Sequence, residues 1–263
     1  MPSLFISHGA PTYALDPGLA GRQLSELGRQ LGQPSAIVVV SPHWMTQGVE
    51  ISATERPETV HDFGGFPRAL YALQYPAPGT PELAVRIQHR LREQGIPARL
   101  DPHRGLDHGA WVPLLHLYPS ADVPTLQVSL PLDSAEQSVY ALGEALSPLA
   151  QEGVLLIGSG SLTHNLQEVQ MHQSPDHAAS YAAEFSSWVR QAVLEGDISR
   201  LLQTLSIAPH AARAHPTTEH FLPLLFAVGA APRYRQATVL EGGILHGVLS
   251  MESYVFAQAF TMQ

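Results

Sequence analysis

Short apolar runs alternate with amphipathic stretches along this chain. Three runs are continuously apolar, without the period-two alternation of a half-exposed strand: Leu4–Ser7, Ala36–Ser41 and Val154–Gly158. This pattern is typical of strands covered on both faces. A fourth strand is predicted at Val123–Leu130, and weaker strand signals lie in "RQATVLEGG" and "ESYVFAQAF".

Apolar residues recur at helical spacing between these runs. The predicted helices cover residues 19–31, 80–95, 133–149 and 177–196. In the second of them, Thr80 and Pro81 suit the first turn and Gly95 suits the end. Strands that alternate with helices predict an α/β fold, in which helices flank a mixed, mainly parallel central sheet. Since no repeat or linker interrupts the pattern, a single domain over residues 1–263 is expected.

Composition narrows the chemistry that this chain can perform. The formal net charge is −9, so a nucleic-acid partner is not expected. There is no Cys, and all 14 basic residues are Arg, which excludes thiolate metal sites, Cys nucleophiles and Lys Schiff bases. The 14 His residues equal the Arg residues in number, so imidazole chemistry is favoured.

No membrane association is expected. The longest apolar stretch, residues 221–231, is too short to cross a bilayer and contains Pro223. The first residues lack both a basic start and a long apolar run, so no signal peptide is expected and a cytoplasmic location is predicted. The expected assembly is a monomer or a small homo-oligomer.

Three histidines follow predicted strands. His8 comes directly after the first strand, His43 after the second, and His164 shortly after the run that ends at Gly158. Ligands of open α/β sheets bind outside the carboxyl ends of the strands. A lone histidine there is usually structural, but three of them predict a shared site, and the metal site is expected at this edge.

Other polar residues could join this site from loops. "HPTTEH" offers His215, Glu219 and His220 at an expected helix start with Pro216 in its first turn, and only one or two of the three side chains can point inward. Asp107 and His108, between glycines, are expected on a flexible turn, and His61 lies in a long loop over residues 54–79. The remaining histidines have no context that suggests a function: His89, His103, His116, His172, His177, His210 and His246.

Imidazoles without thiolates suit Zn, Fe, Cu or Ni. Closed structural zinc sites usually contain Cys, so a catalytic site with open positions is favoured here. "GSGS", residues 158–161, is neither a nucleophile elbow nor a dinucleotide or phosphate loop.

Seven motifs in register carry a resemblance to a known family. Together they resemble the DOPA 4,5-dioxygenase-like branch of the class III extradiol ring-cleavage dioxygenases, the superfamily of the protocatechuate 4,5-dioxygenase beta subunit. The likeness covers essentially the whole chain. The motifs are "SHGAP", "SPHW", "HDFGGFP", "YPAPGTPELA", "RGLDHGAW", "GSGSLTHN" and "HPTTEHFLPLL".

The resemblance implies that a metal is bound by His8, His43 and a third ligand, either His220 or its rival Glu219. It implies that His164 is the acid/base catalyst, which in a zinc-loaded site could also reach the metal. It further implies that His108 acts in catalysis and contacts bound substrate or O2. His61 and Asp62, in "HDFGGFP", are predicted to help bind substrate.

The reaction that the resemblance implies is cleavage of a catechol, DOPA-like or related, by O2 to a muconate semialdehyde. Fe(II) is expected for activity, and Zn(II) is plausible as the metal found bound, although redox-inert Zn(II) cannot support the oxidation. Two alternatives remain open: a zinc-dependent hydrolase or other non-redox metalloenzyme on the same histidines, and a non-catalytic binding protein.

Overall fold

The computed structural model describes residues 1–170, 178–231, 234 and 236–257. His172 and His177, which we did not assign to a site, lie outside the described residues. The strands, numbered along the chain, are β1 Ser3–Ser7, β2 Ala36–Thr46, β3 Val49–Ser52, β4 Ala98–Asp101, β5 Thr125–Pro131, β6 Val154–Gly160, β7 Gln236–Leu240, β8 Ile244–Leu245, β9 Leu249–Ser250 and β10 Ser253–Ala257.

The α-helices are numbered in the same way. They are α1 Gly18–Leu31, α2 Arg68–Tyr71, α3 Pro81–Glu93, α4 His108–Leu117, α5 Glu136–Leu146, α6 Ser180–Glu195, α7 Ile198–Leu202, α8 Thr204–Ile207, α9 Ala211–Ala214 and α10 Leu222–Gly229. Short 3₁₀ turns cover Pro11–Ala14, Ser147–Glu152 and Leu166–Glu168.

The predicted α/β fold with a mixed, mainly parallel sheet is confirmed. Within the described residues, the main sheet has eight strands in the order β4-β3-β5-β2-β6-β1-β10-β7. Its four central strands, β5, β2, β6 and β1, run parallel. Pairing between β3 and β5, β1 and β10, and β10 and β7 is antiparallel. The carboxyl ends of β1, β2 and β6 therefore meet at one edge.

Helices cover both faces of this sheet, which explains the unbroken apolar runs. Along β2, Val38 and Val40 pack into one core with α3, α5, α6 and α10, whereas Ile37 and Val39 pack into a second core with α1 and α4. A strand buried on both faces gains from apolar residues at every position, since both sets of side chains leave water. Within the described residues, no helix combines the length and apolarity needed to cross a membrane.

Three local expectations were wrong, and all three concern the edge that carries the histidines. Strand β2 does not end at Ser41: it continues past His43, with a shift of register against β5 between Val40 and Met45. The predicted flexible turn at His108 is the first turn of α4. Residues 215–220 precede α10 rather than starting it, and Pro223, not Pro216, lies in the first helical turn.

Two small strands were missed by the sequence reasoning. Segments β3 and β4 were not predicted, since each has only four residues and β4 is half-exposed with little apolar character. The weak signals near the C-terminus correspond to β7 and β10 as far as the described residues extend.

Candidate active site

Four histidine rings converge at the carboxyl edge of the sheet. The ring centroids of His8 and His43 are 5.0 Å apart, and that of His220 lies 5.5 Å from the first and 5.2 Å from the second. His108 completes the group, with its centroid 4.0 Å from that of His43. The rings of His8, His108 and His220 are almost wholly buried. Segments that are distant in sequence thus produce one cluster.

His164 stacks on this cluster rather than joining it edge-on. Its ring is 3.5 Å from that of His220 and nearly parallel to it, with an interplanar angle of 8°. Its backbone N–H donates to the carbonyl of Ala214 at 2.8 Å, which fixes the turn after β6 against α9. His164 therefore lies at the side of the cavity, face to face with one ring of the cluster.

The hydrogen bond of Ser159 fixes which nitrogen of His8 carries the proton. Ser159, at the end of β6, donates its only hydroxyl proton to the carbonyl of Gly109. The same hydroxyl lies 3.0 Å from His8 Nδ1, where it must therefore accept. His8 is then protonated on Nδ1, and the lone pair of its Nε2 faces the cavity. Sequence reasoning missed Ser159, because we treated "GSGS" only as a failed motif.

Carboxylate oxygens lie near Nδ1 of the other three rings. Glu219 Oε1 lies 3.1 Å from His220 Nδ1, and Asp62 Oδ1 lies 3.0 Å from His108 Nδ1. The second oxygen of Asp62 is 3.6 Å from His43 Nδ1, a longer contact. For His8 and His220, the hydrogen bond at Nδ1 favours the tautomer whose Nε2 is free to bind a metal. The Nδ1 atoms of His43 and His108 lie near Asp62 but make no hydrogen bond with it.

The geometry and donor set suit a divalent transition metal. His8 Nε2 and His43 Nε2 are 3.1 Å apart, and two nitrogens about 2.1 Å from one ion at about 90–110° would be about 3.0–3.4 Å apart. His220 Nε2 is buried without a hydrogen-bond partner, an arrangement that is costly unless a ligand uses the lone pair. Ligand atoms of His8, His43 and His108 also lie within 4.8 Å of one another, as do those of His164, Glu219 and His220.

Burial keeps these imidazoles in the neutral form that binds metals. Burial lowers the pKa of His8 and of His220 well below the ordinary value, and the neighbouring rings lower both further. Burial, followed by the charge of His108, lowers the pKa of His43 to about 4. The pKa of His164 is also lowered, mainly by burial. These four imidazoles are therefore neutral near pH 7, so a metal can bind them without first displacing a proton.

Asp62 is a fixed anion beside this cluster. Burial alone would raise its pKa, but contacts with His108, including a 2.9 Å hydrogen bond from its backbone N–H, lower the pKa to about 2. Asp107, at the start of α4, accepts from Ser41, Arg104 and Gln127 and is fully buried. These bonds hold α4 and the bulged end of β2 together.

Glycines allow the backbone segments to approach closely enough for the site to form. A Cβ at Gly109 would clash with Oγ of Ser41 and lie 3.0 Å from Cδ2 of His43, so glycine lets α4 approach β2 closely. Cβ atoms at Gly158 and Gly160 would meet the carbonyls of Pro223 and His220. The small residues of "GSGS" therefore let α10 and the turn before it pack on β6, which places His220.

The cavity in front of the rings has a volume of about 210 Å³. It is lined by His8, His43, His108, His164 and His220, by Gly9, Ala10, Pro11 and Ser161, and by Phe63, Phe66, Leu166 and Leu249. His61 and Asp62 are not among these lining residues. The ring of His61 lies 5.6 Å from that of Trp111, and its Nε2 is 3.0 Å from the carbonyl of Leu73. A role of either residue in substrate binding stays a prediction.

Comparisons with known proteins agree with this picture. Residues 3–257 match a family described as the catalytic LigB subunit of aromatic ring-opening dioxygenase. A protein of Beta vulgaris named 4,5-DOPA dioxygenase extradiol is 41% identical over 97% of this chain and 96% of its own length. An Escherichia coli protein of the same name is 39% identical, over 96% and 93% respectively. A crystal structure of an uncharacterized E. coli K12 protein superposes with a TM-score of 0.80 at 33% identity, covering 98% of this chain and 100% of the other.

Proposed function

Because the chain belongs to the family of the catalytic LigB subunit of aromatic ring-opening dioxygenases, and is thus an extradiol dioxygenase, we propose that it opens the ring of a catechol. The cleaved bond lies beside one hydroxyl-bearing carbon, both atoms of O2 enter the product, and the product is a muconate semialdehyde. The relatives named 4,5-DOPA dioxygenase support a DOPA-like or related catechol. The observation that carries the proposal is the convergence of five histidine rings on one cavity, with an oxygen hydrogen-bonded to Nδ1 of His8 and of His220.

The metal that we propose is Fe(II), held through Nε2 by His8, His43 and His220. Glu219 is the less suitable third ligand, because its Oε1 is engaged by Thr217 at 2.9 Å and by Nδ1 of His220. Bound Fe(II) supplies a place where catechol and O2 meet and an electron path between them, which Zn(II) cannot supply.

His164 is proposed as the proton carrier. A nitrogen lone pair lies in the plane of its ring, and two parallel rings 3.5 Å apart cannot both direct lone pairs at one ion. If His220 binds the metal, His164 remains free. Its lowered pKa leaves it neutral near pH 7, so its ring nitrogen can accept a catechol proton and later return it.

His108 is proposed to contact the substrate or O2 from the opposite side. Its Nδ1 faces Asp62, so its Nε2 is directed away from the carboxylate, and the residue lines the cavity. Asp62 would act by positioning the rings of His108 and His43 rather than by touching the substrate.

The test is oxygen uptake after anaerobic loading with Fe(II), with a screen of catechols that includes DOPA, caffeate and protocatechuate. We expect uptake of one O2 per catechol and a yellow ring-cleavage product. A chain that binds metal but consumes no O2 with any catechol, and instead hydrolyses a model ester, would contradict the proposal. Protein loaded with Zn(II) is the matched control, and it should bind catechol without consuming O2.

A further inference from the structure

Two segments of the chain meet beside the stacked rings of His164 and His220. One is the turn over residues 161–164, which follows β6 and ends at His164. The other covers residues 214–220, which link α9 to α10 and end at His220. The two rings are nearly parallel and 3.5 Å apart. Contacts between these segments therefore set the position of the proposed proton carrier relative to a proposed metal ligand.

Backbone hydrogen bonds join the two segments at their ends. The N–H of Ser161 donates to the carbonyl of His220 at 2.9 Å, and the N–H of His164 donates to the carbonyl of Ala214 at 2.8 Å. Such bonds form between backbone groups whatever the side chains are. Between these two bonds, the carbonyl of Leu162 is held by a side chain instead.

That side chain is the imidazole of His215. Its Nε2 lies 2.9 Å from the carbonyl of Leu162, and since a carbonyl can only accept, this nitrogen carries the proton. His215 is only 3% exposed, and its ring meets the rings of Phe185 and Phe221 edge-on, with centroids 5.4 Å away in both cases. This packing fixes the direction in which the N–H points.

The carbonyl that His215 holds is one residue away from His164. It belongs to the planar peptide that joins Leu162 to Thr163, so its direction is coupled to the backbone dihedrals on both sides of that peptide. Leu162 and Thr163 are both buried, and a buried carbonyl that lost its donor would turn toward another one. Such a turn would move the next residue, His164, relative to His220.

The rest of this turn is held from other directions. The N–H of Leu162 donates to Oγ of Ser7 at 3.2 Å. Oγ1 of Thr163 donates to the carbonyl of Val248 at 2.7 Å and accepts from the N–H of Ser250 at 2.8 Å. These bonds do not involve His215. The turn should therefore stay folded without that ring, and the change should be confined to the peptide before the proton carrier.

Resting on the proposed ring cleavage, we propose that His215 is a positioning residue for the proton carrier His164. It acts through the carbonyl of Leu162 and keeps the ring of His164 parallel to that of His220, at the side of the cavity. His215 does not itself line the cavity, so it does not act on the substrate directly. Its loss should slow proton transfer and leave the binding of metal and catechol unchanged.

The experiment begins with two variants of His215. His215→Leu is close in volume but has no donor, whereas the amide nitrogen of His215→Gln can take the place of Nε2. In the Fe(II)-loaded enzyme, His215→Leu should lower kcat by about 10–100-fold, since a displacement of about 1 Å at a reacting group has effects of this size. Its KM for catechol should stay within about threefold and its metal content should not change. His215→Gln should recover most of the lost turnover.

Ser3→Ala is the matched control for the loss of a buried hydrogen bond. It removes a donor from the carbonyl of Ala227 at the opposite end of β1 from His8. This control should lose stability but keep its kcat, which separates a general loss of stability from a displaced proton carrier.

A double-mutant cycle tests whether His215 acts through His164. In the His164→Ala background, His215→Leu should change kcat by less than about twofold, because no side chain is left to position. A variant that damaged the metal site or the fold would lower kcat by the same factor in both backgrounds.

NMR of the metal-free protein gives a readout that does not depend on turnover. The imidazole C–H protons of His164 lie over the ring of His220, so its ring current shifts their resonances upfield. His164→Ala identifies these resonances. The upfield shift should shrink in His215→Leu and persist in His215→Gln.

The outcomes separate the positioning role from the proposed function. If the unmodified protein consumes no O2 with any catechol, the proposed function fails and the inference falls with it. If ring cleavage occurs but His215→Leu keeps its kcat, or loses the same factor in both backgrounds, the function stands and the positioning role is wrong. Should His215→Leu fail to fold, His215→Asn, whose amide is one carbon shorter than that of Gln, replaces it with the same expected outcomes.

Discussion

Replacement of Ser159 by Ala should weaken metal binding without removing any metal ligand. The hydroxyl of Ser159 is fully buried, accepts from His8 Nδ1 at 3.0 Å and donates to the carbonyl of Gly109. The variant leaves an N–H and a carbonyl without partners, and each unpaired buried group costs about 1–3 kcal/mol of folding stability. His8 also loses the contact that selects the Nδ1–H tautomer.

The expected loss of metal affinity is about 10–100-fold, the usual effect of removing a partner that orients a ligating histidine. This factor corresponds to about 1.4–2.7 kcal/mol of binding free energy. The assay is competition between the protein and a chromophoric chelator for Zn(II), together with anaerobic Fe(II) titration. Thermal unfolding of the metal-free variant measures the stability cost separately.

Ser3→Ala is the matched control. Ser3 is buried at the opposite end of β1, and its hydroxyl donates to the carbonyl of Ala227 at 2.7 Å. The control should lose stability by about 1–3 kcal/mol but keep its metal affinity. If Ser159→Ala and Ser3→Ala bind the metal within about twofold of each other, the argument that Ser159 orients His8 is refuted.

Three further outcomes are expected. His164→Ala should keep its Fe(II) and its affinity for catechol, but its turnover should fall by a factor of about 10²–10⁴. His43→Ala should instead lose the metal. If elemental analysis shows that both variants lose metal equally, His164 is a metal ligand and not the proton carrier. Gly109→Ala should destabilise the protein by about 1–3 kcal/mol, because its Cβ would clash with Oγ of Ser41, and should lower metal affinity, because the Cβ would lie 3.0 Å from the His43 ring. Gly64→Ala, with open space around it, should have neither effect. Burial lowers the pKa of His215 to about 4, below the ordinary value of about 6.5, so its contribution to stability is complete above pH 6.5 and is lost as the pH falls toward 4. Between pH 7.5 and 5, the stability lost through His215 is about 2 kcal/mol. In urea unfolding of the metal-free proteins, His215→Gln should therefore lose about 2 kcal/mol less stability than the unmodified protein over this pH range. Equal pH dependence of the two proteins would contradict the lowered pKa of His215.

The sequence by itself determined the fold class and most of the major elements. Runs such as Ala36–Val40 and Val154–Ile157 are apolar at every position because both faces of their strands are covered, a requirement that is local and readable. The strand end before His8 followed from the first apolar run, whereas β2 continues past the end of its run to Thr46, so the run placed His43 near this edge without giving the end of its strand. The absence of Cys and Lys limited the chemistry before any geometry was known.

Only the tertiary structure decided which histidines come together and where their nitrogen lone pairs point. His220 is separated from His8 by 212 positions, and its approach depends on α10 packing against Gly158 and Gly160, a contact that neither segment reveals alone. The direction of each lone pair depends on Ser159, Asp62 and Glu219 behind the rings. Hydrogen bonds between strands and loops distant in sequence leave no periodic signal, because each requires only one polar residue at one place.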